Sequence, residues 1–407
     1  MVKKRYQSFH LILLFTLVFL ITTVNPPVHA YLNNPNDKYL MDQWGWLNIY
    51  ADVTYSNGYR GDNATIVAVI DTGIDLDHPD LKDNIYTNLA EKYGTPGVDD
   101  DGNGYIDDIH GWNFVDDTND TSDHDGHGSH CAGIIAATDN SIGICGVAPD
   151  VQILPIKVIE THKGDLSNLV DAITYACIMN ASVISMSLGA DPDEVGPLLK
   201  NKINNVISAA YYGNGTVLVA AAGNTDPLGI EEVMYPACNP LVIAVGATTK
   251  SNTKAYYSNY GNEVELAAPG GDSSAAIIST YNESNYAQLG GTSMACPHVS
   301  GVVALLLQWN KTLTPDEVRA RLNSTAIDLG DPGKDKYFGY GLVNAAGALG
   351  LPQAHVYNPI VDWFFRNLWW ILTLALAAVF LIIYYALRSK PKGGEPAYSA
   401  STTYDYY

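Results

Sequence analysis

Five short apolar runs rich in Val and Ile constrain the fold of this chain more than any other feature. The runs are Thr65–Ile70, Gln152–Val158, Ala181–Ser187, Thr216–Ala222 and Leu241–Ala247, each bounded by Gly, Asn, Asp or Pro. Continuous apolar runs of this length are typical of parallel strands that are covered on both faces. Helical patterns lie between them, so the sequence predicts an α/β domain with a mostly parallel sheet.

Helices are predicted between and after these strands. The helical segments are His127–Thr138, Leu166–Met179, Glu194–Tyr211, a long helix that starts at Ser293, and a helix opened by Pro315. The last has a strong start signal, because Pro follows a capping Thr and acidic residues fill the first turn.

The N-terminus has the composition of an export signal. Basic residues occupy positions 3–5, an apolar stretch runs from about Leu11 to Val24, and Val28-His29-Ala30 supplies small residues for cleavage. This order is typical of a secretory signal peptide, which we predict for residues 1–30. A retained N-terminal anchor is the alternative.

A second long apolar run lies near the C-terminus. Leu368–Leu387 contains twenty residues without a charge, and at about 1.5 Å per residue it is long enough to cross a bilayer. Arg388, Lys390 and Lys392 follow, which predicts a cytoplasmic C-terminus. The sequence therefore predicts a single-pass cell-membrane protein with an extracellular domain (31–351), a juxtamembrane linker (352–367), a transmembrane helix (368–387) and a short cytoplasmic tail (388–407). A helix of the protein core is the alternative for the apolar run.

Charge and cysteine content limit the function further. The chain has 43 acidic and 22 basic residues, for a net charge of −21, which argues against nucleic acid as a partner. The five cysteines have no framework spacing and form an odd set, so at least one is unpaired within the chain. We therefore expect the fold to depend on its core.

Three segments carry residues suited to acyl transfer. Asp71 ends a buried strand, His127 lies between two glycines, and Ser293 stands at a predicted helix start with Pro297 in the first turn. Taken singly, each has an ordinary explanation as a turn, a capping or an N-cap residue. Together they provide an orienting carboxylate, a general base and a hydroxyl nucleophile.

These segments closely resemble the three active-site signatures of the subtilisin-like serine proteases (subtilases, peptidase family S8). The likeness runs from about Asn36 to Ala346 and is strongest to the thermitase and bacterial subtilisin branch. It implies a three-layer α/β fold and an endopeptidase that hydrolyses polypeptides through an acyl-enzyme intermediate. It also implies that Ser293 is the nucleophile, His127 the base and Asp71 the residue that orients it, in the chain order of this family.

The resemblance supplies the remaining site residues. Asn224 matches the side-chain donor of the oxyanion hole, with the backbone N–H of Ser293 as second donor. The pocket for the side chain before the scissile bond is implied at Ser187, Leu188, Gly189 and Gly223. Because Gly189 and Gly223 leave room there, we expect a large apolar or aromatic side chain to be accepted.

Calcium is the expected cofactor, in a structural role. Oxygen donors recur at every second position of one acidic loop, with a glycine at the sixth place of a calcium loop. These donors are Asp99, Asp101, Asn103, the Tyr105 carbonyl and Asp107. The twelfth position is His110 instead of Glu, so Asp108 or water would have to complete the shell, and a solvated acidic turn is the alternative. A second site, at Asp37, Asp80 and Asn140, is implied only by the resemblance.

Other functions stay open at this point. Only a few residues separate Ala30 from the segment that resembles the mature N-terminus of the family, so we expect no pro-domain. An inactive peptide-binding pseudoprotease and an esterase-type serine hydrolase are the alternatives to a protease. The sequence does not predict the oligomeric state.

Overall fold

The structure is a computed structural model, and it describes residues 35–161, 163–225, 229–353 and 368–388. The chain divides into two units, Met1–Tyr357 and Asn358–Tyr407. The first unit contains the sheet and most of the helices. The predicted signal peptide (1–30), most of the linker and the tail after Arg388 lie outside the described residues.

A seven-stranded parallel sheet forms the centre of the first unit. The strands of the unit, including four outside this sheet, are β1 (Ile66–Asp71), β2 (Trp112–Asn113), β3 (Gln152–Lys157), β4 (Ile159–Glu160), β5 (Lys163–Gly164), β6 (Val183–Met186), β7 (Val217–Ala221), β8 (Val242–Thr248), β9 (Val264–Pro269), β10 (Ile277–Tyr281) and β11 (Asn285–Leu289). The sheet has the order β2-β3-β1-β6-β7-β8-β9, while β4–β5 and β10–β11 are separate antiparallel pairs. The five predicted strands are confirmed as β1, β3, β6, β7 and β8.

The helices begin and end close to the predicted positions. They are α1 (Trp44–Asn48), α2 (Ala51–Ser56), α3 (Leu89–Lys92), α4 (His127–Ala136), α5 (Asn168–Ile178), α6 (Pro197–Ser208), α7 (Thr292–Trp309), α8 (Pro315–Thr325), α9 (Ala345–Ala348) and, in the second unit, α10 (Leu368–Arg388). A π-helical turn continues α6 over Ala209–Asn214. At the start of α8, Thr314 and Glu317 form a complete capping box, as the sequence pattern predicts.

The sheet is buried on both faces, which makes the domain three-layered. Along β1, Val67 and Val69 pack into one hydrophobic core with α4 and α7, whereas Ala68 and Ile70 pack into another with α5 and α6. Successive side chains of a strand point to opposite faces, so a strand between two cores is apolar at every position. This confirms the predicted α/β fold with its parallel central sheet.

The sheet topology places one crevice at the carboxyl ends of its strands. The chain runs from β1 to β3 on one side and then crosses to β6 on the other. Ligands of open parallel sheets bind at such a switch point. Asp71 at the end of β1 and the residues just after β6 and β7 therefore border one cleft.

The second unit consists of α10 in the described part of the chain. The run predicted to span a membrane is thus helical in the structure, at Leu368–Arg388. Across the residues that the structure describes, no helix is both long enough and apolar enough to cross a membrane.

Candidate active site

Asp71 and His127 form the central pair of the site. His127 Nδ1 lies 2.7 Å from Asp71 Oδ1, and the Asp71 side chain is only 1% exposed. The backbone N–H of Thr72 donates to the same carboxylate oxygen. Burial of the imidazole lowers the pKa of His127, but the adjacent Asp71 carboxylate outweighs this effect and holds that pKa well above its ordinary value. The imidazole is therefore oriented by a buried anion.

The loop before α4 fixes where His127 stands. Asp123 is buried, and its carboxylate accepts hydrogen bonds from the backbone of Asp125 and Gly126, from both the N–H and the hydroxyl of Ser129, and from the Thr72 hydroxyl. It thus satisfies N–H groups at the start of α4, which have no partner within the helix. One carboxylate connects the end of β1 to the first turn of α4.

Ser293 is the second residue of α7. Its hydroxyl donates to the Ser187 carbonyl at 3.3 Å. The sulfur of the buried Cys131 lies 4.0 Å from His127 Nδ1 and 3.5 Å from the Ser293 carbonyl oxygen. The structure therefore brings Ser293 and His127 together around one thiol. Hydrogen bonds of a catalytic serine are often poorly aligned without substrate and tighten on binding.

Pro297 has a different position in the helix from the one predicted. Because α7 starts at Thr292, Pro297 is its sixth residue and not part of the first turn. Its missing N–H is the one that would have bonded to the Ser293 carbonyl. Ser187 Oγ donates to that carbonyl at 2.8 Å instead, together with the Cys131 thiol. The prediction that Pro297 lies in the first turn was therefore wrong.

Asn224 lies beside the nucleophile, just after β7. Its Oδ1 accepts hydrogen bonds from both the N–H and the hydroxyl of Thr292, each at 2.8 Å. With the oxygen held in this way, the amide nitrogen of Asn224 lies beside Gly291, two residues before Ser293. The N–H of Ser293, in the first turn of α7, has no acceptor within the helix. These two donors suit an oxyanion that develops next to Ser293.

Comparison with known proteins decides the family. The model of the "Subtilase family" (Peptidase_S8) matches residues 62–341. The chain is 38% identical to subtilisin DY of Bacillus licheniformis over 302 residues, which cover 74% of this chain and 96% of that protein. The chain belongs to the subtilase family.

Further relatives agree with this assignment. Thermitase of Thermoactinomyces vulgaris is 36% identical over 322 residues, covering 77% of this subtilase and 99% of thermitase. The thermophilic serine proteinase of Bacillus sp. (strain AK1) is 37% identical over 318 residues, covering 77% and 69%. A crystal structure of a lanthipeptide protease superposes with a TM-score of 0.63 at 29% identity, covering 77% and 95%. This subtilase is accordingly a subtilisin-like serine endopeptidase.

The four residues predicted to line the substrate pocket make different contacts. Leu188 and Gly189 border a pocket of about 230 Å³ on the side of the β4–β5 pair. Gly223 lies opposite Gly189, with the side chain of Met234 between them. Ser187 is buried, and its hydroxyl holds the Ser293 carbonyl. Met234, a residue outside the predicted segments, therefore packs against both glycines.

In the acidic loop after α3, backbone N–H groups donate hydrogen bonds to carboxylates of the same loop. Asp99 accepts hydrogen bonds from the backbone of Gly102, Asn103 and Gly104, and its pKa is lowered by these bonds. Ligand atoms of Glu91, Asp99 and Asp101 lie within 4.8 Å of one another, as a bound cation requires.

The three other predicted ligands of this loop also contact neighbouring residues. Asp107 accepts from the N–H of Gly97. Asn103 donates through its amide nitrogen to Asp101 and to the buried Asp108. The Tyr105 ring packs against Trp112, Phe114 and Tyr175, whereas the predicted ligand atom of this residue is its backbone carbonyl. Glu91 was missed because it precedes the loop by eight residues.

The residues of the second predicted cation site lie around the loop after α4. The N–H groups of Asn140 and Ser141 donate to Asp37 Oδ1, and that of Ile144 donates to Asp80 Oδ2. The other oxygens, Asp37 Oδ2 and Asp80 Oδ1, are buried without a hydrogen-bond partner among the described residues. Burial, with repulsion from Asp139 and Asp80, raises the pKa of Asp37 to about 6. Two orphaned carboxylate oxygens next to an amide fit a hard cation such as Ca²⁺.

Sequence reasoning missed several residues that build the site. Asp123, Cys131 and Thr292 stand within four residues of His127 or Ser293, so their positions were visible but their partners were not. Met234 stands apart from every predicted segment of the pocket. The five cysteines are all free in the structure, which agrees with a fold that depends on its core.

Proposed function

We propose that this subtilase is an exported, membrane-anchored endopeptidase that cleaves extended polypeptides through Asp71, His127 and Ser293. The observation that carries the proposal is the buried Asp71–His127 pair at 2.7 Å, beside a serine in the first turn of α7. Nucleophile, base and orienting anion are thus supplied by three different elements.

The first half of the reaction forms an acyl-enzyme. Ser293 Oγ attacks the carbonyl carbon of the scissile peptide bond while His127 Nε2 takes its proton. The Asp71 carboxylate, on Nδ1, fixes the tautomer and stabilises the imidazolium. Asn224 and the Ser293 N–H bind the oxyanion of the tetrahedral intermediate. The C–N bond then breaks, and His127 returns the proton to the leaving amine.

The second half repeats these steps with water. His127 takes a proton from a water molecule, whose oxygen attacks the acyl carbon. The same two donors bind the second oxyanion, and the ester bond to Ser293 breaks as His127 protonates its oxygen. The product carboxylic acid leaves and the serine is restored.

A polypeptide is the substrate class that the cleft fits best. The pocket of about 230 Å³ is apolar along much of its wall; it is lined by Val158, Ile159, Gly164, Asp165, Leu166, Leu169, Leu188, Gly189 and Ala190. Met234 packs against Gly189, which borders this pocket. An extended peptide can place one side chain in the pocket while its backbone passes Ser293, so the cleft suits a peptide better than a small ester.

Casein and a short acyl ester separate the possible activities. The full chain, purified in detergent with calcium, is expected to cleave both, and Ser293→Ala neither. Turnover of the ester alone favours an esterase. Binding of peptides without cleavage favours a pseudoprotease and contradicts the proposal.

Calcium is proposed as a structural cofactor at two places. Asp37, Asp80 and Asn140 would hold one ion, and Glu91, Asp99 and Asp101 another, since both sets offer hard oxygen ligands. The buried, unpartnered oxygens of Asp37 and Asp80 support the first site most strongly. Bound calcium would offset the repulsion between these carboxylates, away from the reacting atoms.

The cell membrane is proposed as the location, with the protease domain outside. The support is the uncharged run Leu368–Leu387, the basic residues that follow it and the signal-like N-terminus. After expression in a bacterial host, the full chain is expected to sediment with membranes and resist extraction by carbonate. A chain ending at residue 366 is expected in the soluble fraction; equal behaviour of the two contradicts the anchor.

A further inference from the structure

The segment around Met234 crosses between the two walls of the cleft beside Ser293. The Met234 N–H donates to the Ala222 carbonyl at 2.9 Å, and Tyr235 and Ala190 exchange two backbone hydrogen bonds of 2.9 Å. Ala222 precedes the wall residue Gly223, and Ala190 follows the wall residue Gly189. The backbone at Met234 is therefore fixed to both walls.

The Met234 side chain fills the space between these walls. A β-carbon added to Gly189 would lie 2.9 Å from Met234 Cβ, and one added to Gly223 would overlap Met234 Cγ. Gly223 also has a φ of +109°, so a side chain there would be strained in any case. Glycine at both positions accommodates the methionine, whose Cβ and Cγ lie where a side chain at either position would be.

We infer that Met234 determines which side chain is accepted before the scissile bond. This rests on the proposed function, namely that the cleft cleaves peptides at Ser293. A pocket filled to its base takes Ala or a short aliphatic side chain and excludes Phe, Tyr and Trp, whose rings need a deep slot. The sequence alone favoured the opposite preference, because it showed two glycines and not what packs against them.

Peptide anilides that differ only in the residue before the scissile bond test this inference. With the full chain, kcat/KM for Ala or Leu is expected to exceed that for Phe by at least tenfold, the size of effect that one or two methylene groups have in a pocket. Met234→Gly is expected to raise the Phe-to-Ala ratio at least tenfold. Met234→Ala should act in the same direction and retains a β-carbon should the glycine variant fold poorly.

A matched variant controls for the loss of a methionine. Met41 is 51% exposed and lies in the N-terminal segment of the domain, so Met41→Ala is expected to keep the parent ratio. The inference is overturned if the parent already prefers Phe to Ala, which would mean that the flexible thioether swings aside. It is also overturned if both Met234 variants keep the parent ratio.

Labelling with a serine-reactive phosphonate separates this inference from the proposed function. If Ser293 is labelled and the ratios are unchanged, only the role of Met234 is rejected. If a folded parent protein neither labels nor cleaves any of the peptides, the proposed function fails, and the inference fails with it.

Discussion

Among single residues, the buried Asp71 carboxylate determines how the imidazole of His127 is oriented and charged. It lies 2.7 Å from His127 Nδ1, with the Thr72 N–H on the same oxygen. A histidine acts as a base only when it is neutral. A raised pKa of His127 therefore raises the lowest pH at which the enzyme is active. The pair therefore sets both the orientation of the base and the pH at which it becomes active.

The acid limb of the pH profile tests this pairing. Because the pKa of His127 is held well above 6.5, kcat/KM is expected to fall as the pH drops through a value above 6.5. Asp71→Asn removes the anion, so the limb should move to lower pH while kcat falls roughly 10⁴-fold.

Asp75→Asn serves as the control for this change. The Asp75 carboxylate accepts from the backbone of Asp77 and Ser284 and does not contact His127. We expect it to leave the position of the limb unchanged. A parent limb at or below pH 6.5 would contradict the account.

Asn224 contributes through one atom, its amide nitrogen. Asn224→Asp keeps an oxygen to accept from Thr292 but places a second oxygen where the donor stood. We expect kcat to fall roughly 100- to 1000-fold, with KM and the unfolding transition close to those of the parent. Steady-state kinetics on a peptide anilide measure this, and retained kcat would show that the oxyanion is bound elsewhere.

Among the secondary-structure elements, α4 depends on a residue outside it. Asp123 binds N–H groups around the start of the helix and the hydroxyls of Ser129 and Thr72. A buried carboxylate with this many donors behaves as the cap of the helix on which His127 stands.

Asp123→Ala is expected to destabilise the protein and to reduce kcat, because the first turn of α4 and Thr72 lose a common acceptor. Urea unfolding in the Ser293→Ala background, which prevents self-digestion, should show a loss of at least about 2 kcal/mol. Asp120→Ala removes an exposed carboxylate three residues earlier and should cost within about 0.5 kcal/mol. Equal effects of the two substitutions would contradict the capping role.

The elements also show what could be predicted from the sequence. β1, β3, β6, β7 and β8 are long apolar runs, so periodicity alone identified them. β2 has only two residues, and Glu265, whose carboxylate pairs with Arg319, interrupts the apolar residues of β9. Neither strand therefore gives a continuous apolar run. The residues proposed as catalytic could be identified from the sequence because each lies in a local signature.

The remaining parts of the site depend on contacts between distant segments. Met234 contacts Gly189 and Gly223 only because the fold brings three loops together at the carboxyl ends of the strands. Glu91 joins the acidic loop in the same way. Pattern reasoning found the glycines and the aspartates but could not show which side chains would come to fill or complete those places.

For the molecule as a whole, the two proposed calcium sites predict that stability depends on calcium. Chelation is expected to lower the Tm of the Ser293→Ala protein, and calcium, but not magnesium, should restore it. An ion present at 100 times its Kd adds about 2.7 kcal/mol to the free energy of unfolding.

Two aspartate variants test where the stabilising calcium ion binds. Asp80→Asn, which alters a buried carboxylate with an unpartnered oxygen, should reduce the stabilisation by calcium. Asp83→Asn, at an exposed position three residues on, should not. A Tm that is independent of calcium in the parent would contradict both proposed sites.

Covalent labelling of Ser293 tests the central claim most directly. The full chain, folded and supplied with calcium, is treated with a serine-reactive phosphonate beside the Ser293→Ala variant. The account predicts that the parent alone is labelled and that the adduct maps to Ser293, because an ordinary serine is not nucleophilic enough to react. A folded parent that stays unlabelled would contradict an active protease built on Asp71, His127 and Ser293.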